Sequence, residues 1–177
     1  MRIRIKNTSL TLKIISWLQI IGGVTGIWLM AYLMLQTETI TGPLLLIFLI
    51  GLGLFTYSIY SGGRLLKDSD KSTGIILSII NQIFQLFQWS MFGFGLSYSS
   101  GAELVLGIEG VSFNFNFAAV MSNFNMSINN DNGFFIKINL LAVFIIIMLV
   151  DILAELKEKK QEEIESQEIN IDELIIE

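Results

Sequence analysis

The chain contains neither cysteine nor histidine among its 177 residues, and it has a single proline. The lack of cysteine excludes disulfides, thiolate metal ligands and thiol nucleophiles, and the lack of histidine excludes imidazole ligands and the most common acid–base catalyst. The sequence also has no nucleophile elbow and no P-loop. These features predict a protein with no cofactor, no metal site, no catalytic residues and no enzymatic activity.

Charged residues are scarce as well, at 15% of the chain, against about 25% in soluble domains. Hydrophobic residues are abundant instead, at 53%, and the mean hydropathy is +0.65. Four apolar segments have about the 20 residues that are needed to cross a hydrocarbon core. They are residues 12–35, 43–60, 74–96 and 134–153. This pattern predicts an all-α membrane protein, a bundle of four transmembrane helices in which the first is an uncleaved anchor.

Lysine and arginine are distributed unevenly around these segments. They precede or open the first segment, lie between the second and third within 64–71, and follow the fourth at 157–160. Only Lys137 falls on the other side, at the start of the fourth segment. The positive-inside rule therefore predicts that both termini are cytoplasmic. Together with the Ile- and Asn-rich, Arg-poor composition, it predicts a multi-pass protein of the bacterial inner (cytoplasmic) membrane.

The third segment carries a stripe of polar residues along one helical face. They are Ser78, Asn81, Gln82, Gln85 and Gln88. An unpaired amide in hydrocarbon costs several kcal/mol, so this stripe is predicted to face another helix or a wet cavity. Two interpretations remain open: the stripe forms hydrogen bonds between helices, or it lines a cavity for a polar ligand.

The first segment offers a small and polar surface that matches this stripe. Its members are Ser16, Gln19, Gly22, Gly23 and Gly26, and Gly22 and Gly26 form a G-x-x-x-G pair. Small residues let a second helix approach closely. This surface is therefore predicted to pack against the polar stripe of the third helix.

Residues 97–133 alternate between apolar and polar side chains, which is typical of half-buried strands. Strands are predicted near 103–108, 111–118 and 122–128, and residues 134–139 could extend the last hairpin. The result is a small antiparallel β insert on the outer side, between the third and fourth helices. Its aromatic face contains Phe113, Phe115, Phe117 and Phe124. We expect this face to be buried on the protein's own helices, with the lipid headgroup layer or another protein as alternatives.

The predicted organisation has four parts: helices with short loops over 1–96, the β insert over 97–133, the fourth helix over 134–156 and a charged cytoplasmic tail over 157–177. The predicted function is that of an accessory or scaffolding subunit of a larger membrane assembly, which acts through protein–protein interaction. The alternative is a channel, carrier or lipid-binding protein with a polar cavity lined by the third helix. Predicted partners are membrane lipids and either another membrane protein or further copies of this chain. Nucleic acid is not predicted, because acidic residues offset the basic charge.

Overall fold

The structure is a computed structural model that describes residues 7–67, 71–110, 112–118, 122–128 and 133–176. Within these residues it contains four α-helices and six β-strands. The helices are α1 (Thr8–Gln36), α2 (Gly42–Leu66), α3 (Lys71–Leu86) and α4 (Leu140–Ile176). The strands are β1 (Phe87–Met91), β2 (Phe94–Ser99), β3 (Glu103–Glu109), β4 (Ser112–Ala118), β5 (Asn123–Ile128) and β6 (Phe135–Asn139).

Two helices in the described part of the chain, α1 and α2, are long and apolar enough to cross a membrane, by length and composition. Helix α1 begins after Asn7, whose side-chain oxygen accepts a 3.1 Å hydrogen bond from the Leu10 N–H and so caps the first turn. Helix α2 begins with Pro43 in its first turn, where a missing N–H costs little. The predicted all-α bundle of four transmembrane helices is wrong, because only two helices qualify as spans and a six-stranded sheet is present.

The apolar segments 74–96 and 134–153 are each part helix and part strand. The sequence predicts the first as one helix; for the second it leaves open a strand at 134–139 that extends the last hairpin, and β6 lies there but pairs with β1 and β3. After Leu86 the period changes from 3.6 to 2, since Gln88 and Ser90 are buried while Phe87 is exposed. A tight turn with positive φ at Phe92 (52°) and Gly93 (79°) then connects β1 to β2, as expected for a two-residue hairpin. Hydropathy alone does not reveal this change from helix to strand, because both halves of each segment are apolar.

The sheet is antiparallel throughout and has the strand order β4-β3-β6-β1-β2-β5. Strands β3, β4 and β5 coincide to within about a residue with the three predicted strands, while position 111 lies outside the described residues. Strands β1 and β6, at the centre, pair Gln88 with Lys137 and Trp89 with Ile136. The sheet is therefore twice as wide as three strands, and it includes residues on both sides of the predicted insert.

The register divides the strand residues into two faces of opposite character. Across all six strands, one row of neighbours is entirely apolar: Met126, Leu96, Trp89, Ile136, Ile108 and Phe113. We call this side the apolar face. The next row along the strands contains Gln88, Lys137, Gly107 and Asn114, and we call this side the polar face.

Two apolar cores hold the molecule together, one at each end of the helices. One core joins all four helices near the N-terminal end of α1 and includes Ile15, Ile75 and Leu149. The other joins α1, α2 and the sheet through Met30, Phe48, Phe55 and Tyr98. In α1 and α2 the buried residues between the two cores are serines, glutamine and glycines. A polar layer therefore separates the two cores.

Candidate functional site: a buried polar layer and a polar cavity

The buried polar layer lies where α1, α2 and α3 meet. It consists of eight side chains with exposures of 0 to 4%: Ser16, Gln19, Ser58, Ser61, Ser78, Asn81, Gln82 and Gln85. Gln19 joins the three helices, because its Oε1 accepts hydrogen bonds from Ser61 Oγ at 2.7 Å and from Ser78 Oγ at 3.3 Å. These contacts give partners to groups that would be costly to leave unpaired in an apolar interior.

Ser58 connects this layer to the loop between β2 and β3. Its hydroxyl donates to the Gln19 carbonyl at 3.0 Å, accepts from Asn81 Nδ2 at 3.2 Å and contacts Ser100 Oγ at 2.9 Å. Gln85 Oε1 accepts a 2.9 Å hydrogen bond from the backbone N–H of Ser100. The layer therefore provides a hydrogen-bond acceptor for the backbone of the β2–β3 loop, in addition to linking the helices.

The predicted polar stripe is divided between two elements. Ser78, Asn81, Gln82 and Gln85 lie on α3 and belong to the buried polar layer. Gln88 lies on β1, and its side chain is directed to the polar face of the sheet. The two interpretations of the stripe thus apply to different residues: the α3 members form hydrogen bonds between elements, and Gln88 lines a cavity.

The predicted small surface of α1 lies mainly against α2 and the β2–β3 loop. Ser16 Oγ donates to the carbonyl of Gly62 in α2. A Cβ on Gly23 would lie 2.7 Å from the Phe55 carbonyl, and one on Gly26 would overlap the Phe55 ring. A Cβ on Gly22 would lie 2.1 Å from the backbone nitrogen of Gly101. Contact with the stripe of α3 runs through Gln19 and Ser78.

The polar face of the sheet lines a cavity of about 270 Å³ that is partly open, since Asn114, Asn116 and Asn125 in its lining are exposed. Side chains from all six strands line it, including those of the two outermost strands, β4 and β5, so the sheet is curled around it. The lining residues are Gln88, Ser97, Glu103, Val105, Asn114, Asn116, Asn123, Asn125, Phe135 and Lys137. This lining is dominated by amides, and it carries one carboxylate and one ammonium group.

Glu103 is the buried acidic group of this cavity, at 8% exposure. Its Oε2 accepts a 3.0 Å hydrogen bond from Gln88 Nε2, and Gln88 is itself 5% exposed. Lys137 pairs with Glu109 at 3.0 Å nearer the surface, and Asn114 Nδ2 also donates to Glu109. A buried carboxylate can only accept hydrogen bonds, so Glu103 favours a ligand with donor groups.

Asn139 lies where β6 becomes α4, and sequence reasoning did not single it out. Its side-chain oxygen accepts hydrogen bonds from the backbone N–H groups of Leu104 (3.2 Å), Leu141 (3.1 Å) and Ala142 (3.3 Å). It thus caps α4 and holds β3 against the helix start. The sequence signal was an Asn immediately before an apolar helical run, which is a common N-cap pattern.

The predicted aromatic face is divided by its contacts. Phe124 is half-buried, and its ring lies 6.5 Å from that of Phe55, edge to face. Phe113, Phe115 and Phe117 are 70%, 63% and 63% exposed. The expectation that these three pack on the protein's own helices is therefore wrong, since most of each side chain is exposed.

Comparison with protein-family models, with curated proteins and with solved structures gave no match. The function is therefore inferred from the polar layer, the cavity and the distribution of apolar surface.

Proposed function

We propose that this chain is a small membrane protein that binds a small polar solute in the cavity of its curled sheet. The observation that carries this proposal is the cavity itself, with a lining contributed by all six strands. A cavity of about 270 Å³ holds several water molecules, each of which occupies about 30 Å³ in the liquid. It is thus large enough for a small solute.

The chemistry of the lining indicates the class of solute. Four asparagines, Asn114, Asn116, Asn123 and Asn125, offer both donors and acceptors, while Glu103 offers acceptors only. Such a lining suits a compact solute with hydroxyl or amide groups and a cationic or hydroxyl donor directed at Glu103. This role extends the predicted alternative of a carrier or channel, but it places the cavity in the sheet and not along a helix.

The membrane location is supported by how polar and apolar side chains are distributed. Polar residues of α1, α2 and α3 are buried between helices, while Leu10, Trp17 and Trp28 on α1 are 55%, 55% and 70% exposed. Apolar residues outside and hydrogen-bonded polar residues inside are what a lipid solvent favours. With the asymmetric basic residues, this distribution supports a multi-pass protein of the bacterial inner membrane with both termini cytoplasmic.

The accessory or scaffolding role stays a prediction. The feature that favours it is the exposed aromatic surface of β4, which a larger partner could cover. A stoichiometric protein that copurifies in mild detergent, together with a cavity that binds no solute, would favour that role over solute binding.

Solute binding can be tested by thermal unfolding of the protein purified in mild detergent. Amino acids, sugars, polyamines and alkali cations are added separately, and the melting temperature is followed against concentration. A ligand at 100 times its Kd stabilises the folded state by about 2.7 kcal/mol. We expect at least one class to raise the melting temperature of the wild type.

The matched variants are Glu103→Gln in the cavity and Glu38→Gln in the exposed segment between α1 and α2. We expect Glu103→Gln to lose the ligand-dependent shift and Glu38→Gln to retain it. No shift with any class, or an equal shift in both variants, would contradict the proposal.

A further inference from the structure

The position of the sheet beside α1 and α2 indicates how deep the sheet lies in the membrane. Near the middle of α1, Ser122 Oγ donates to the Gly22 carbonyl at 2.5 Å, and Thr25 and Ser122 share a hydrogen bond of 2.7 Å. Towards the end of α1, Phe124 and Met126 of β5 line one pocket with Met30 and Thr37. The segment from Ser122 to Met126, which includes most of β5, therefore lies beside the second half of α1.

This part of α1 carries no charged residue and lies far from the basic N-terminal end. From Ile14 to Leu35 the helix has no charged residue, and Gly22 lies within that run. If α1 crosses the membrane, its second half lies in the hydrocarbon, and the sheet beside it lies at the same depth. The sequence-based expectation of an insert beyond the helix ends does not fit these contacts.

The lengths of the elements agree with that depth. Helix α3 has 16 residues and β1 has 5 residues, with no residue between them. Together they reach about 40 Å, at 1.5 Å per helical residue and about 3.3 Å per strand residue, against about 30 Å of hydrocarbon. Strand β6 and α4 follow one another in the same direct way.

The backbone groups between neighbouring strands of the sheet are hydrogen-bonded, as an apolar surrounding requires, whereas the outer edges of β4 and β5 have no ladder partner among the described residues. Between neighbouring strands the ladders provide the partners. Where the strands turn back near the helices, side chains provide the acceptors. The Gln85 side chain accepts a hydrogen bond from the backbone N–H of Ser100. The Asn139 side chain accepts from the backbone N–H groups of Leu104, Leu141 and Ala142.

The exposed side of the sheet has the chemistry of a lipid-facing surface. On β4, Phe113, Phe115 and Phe117 are 63 to 70% exposed, and the asparagines between them line the cavity. Polar residues inside and apolar residues outside are the pattern of strands in a membrane. The same chain exposes apolar residues on α1 and α2, so the sheet extends the surface that those helices present.

Given the membrane location proposed above, we propose that the curled sheet lies within the membrane, in the half opposite the chain termini, with Phe113, Phe115 and Phe117 in contact with lipid acyl chains. The cavity then lies in the outer half of the membrane, on the side of the strands opposite Phe113, Phe115 and Phe117.

Tryptophan fluorescence in vesicles tests this proposal. The chain has three tryptophans, Trp17, Trp28 and Trp89. Three single-tryptophan proteins are made by changing the others to Phe: one keeps Trp28 on α1, one carries Phe115→Trp and one carries Ile164→Trp on the charged part of α4. Each is reconstituted in phosphatidylcholine vesicles with brominated acyl chains, and acrylamide is the aqueous quencher. Phe117→Trp replaces Phe115→Trp if that variant does not fold.

We expect the Trp28 and Phe115→Trp proteins to lose most of their emission to brominated lipid, and Ile164→Trp to lose it only to acrylamide. If Trp28 is quenched by lipid but Phe115→Trp only by acrylamide, the sheet lies outside the membrane and the inference fails. If Phe115→Trp resists both quenchers, a protein partner or a second copy covers the face, and lipid contact is wrong. If brominated lipid does not quench Trp28 either, the membrane location itself is wrong.

Discussion

Single glycines control how closely α1 approaches its neighbours. A Cβ on Gly22 would lie 2.1 Å from the nitrogen of Gly101 and 2.4 Å from the carbonyl carbon of Ser100. Both are backbone atoms in a buried loop, so no side-chain rotation relieves the overlap. A Cβ on Gly53, in α2, would meet nothing within 4 Å. Gly22 thus leaves no room for a side chain, whereas Gly53 does.

We expect Gly22→Ala to lower the free energy of unfolding by about 1–3 kcal/mol, because the added methyl group forces α1 and the β2–β3 loop apart. The same change at Gly53 is expected to be neutral or to stabilise by up to about 1 kcal/mol, since alanine is the better helix former. Thermal unfolding in detergent, followed by circular dichroism, measures both. Equal effects would mean that the loop does not pack against Gly22.

At the scale of elements, the unusual feature is the direct change from helix to strand. Helix α3 ends at Leu86 and β1 begins at Phe87, while β6 ends at Asn139 and α4 begins at Leu140. A helix start leaves N–H groups without helical partners. At the second junction the Asn139 side chain accepts from two of them and from Leu104 of β3, so one buried side chain aligns three backbone segments.

We expect Asn139→Leu to destabilise the protein by at least about 2 kcal/mol, because it leaves buried N–H groups unpaired and removes a cap. Asn139→Asp keeps the acceptor oxygen, and a negative charge at a helix N-terminus is favourable. That variant should therefore retain most of the stability. Chemical unfolding of the two variants provides the comparison, and a loss in Asn139→Asp as large as in Asn139→Leu would contradict the capping role.

At the scale of the whole molecule, polar groups are inside and apolar groups outside. The polar layer is buried and the polar face of the sheet lines a partly open cavity, while α1, α2 and β4 present exposed aromatic and aliphatic side chains. In water such a surface would favour association. A lipid surrounding suits this arrangement better, because most of the buried polar groups have partners within the protein; the exceptions in the polar layer are Gln19 Nε2 and Asn81 Oδ1.

Reporter fusions test the topology that the basic residues and the proposed depth of the sheet imply. Fusions after Lys160 and within 64–71 should report the cytoplasm, because the basic residues cluster there. An insertion between 129 and 132 should report the opposite side. A signal from the opposite side after Lys160 would contradict the proposed orientation, and a soluble, fully cytoplasmic product would contradict the membrane location.

How far the sequence could predict this structure depends on whether a feature is local. The period of 2 at Phe113, Asn114 and Phe115 belongs to neighbouring residues, so β4 could be predicted from them. The polar residues Asn81 and Gln85 could be predicted to avoid lipid for the same reason, since the penalty of an unpaired amide does not depend on the fold. Their actual partners, Ser58 and Ser100, lie 23 and 15 residues away.

The sequence by itself determined α1, α2, the alternation of β3 to β5 and the uneven distribution of basic residues, because composition and period are properties of short segments. Only the tertiary structure decided that Gln88 and Lys137 are neighbours, that β4 and β5 line one cavity, and that Phe115 is exposed. The physical reason is that a segment is stabilised as a strand only by hydrogen bonds to a neighbouring strand. The apolar residues of β1 and β6 suit a helix or a strand equally, and the partner that settles the choice is far away in the chain.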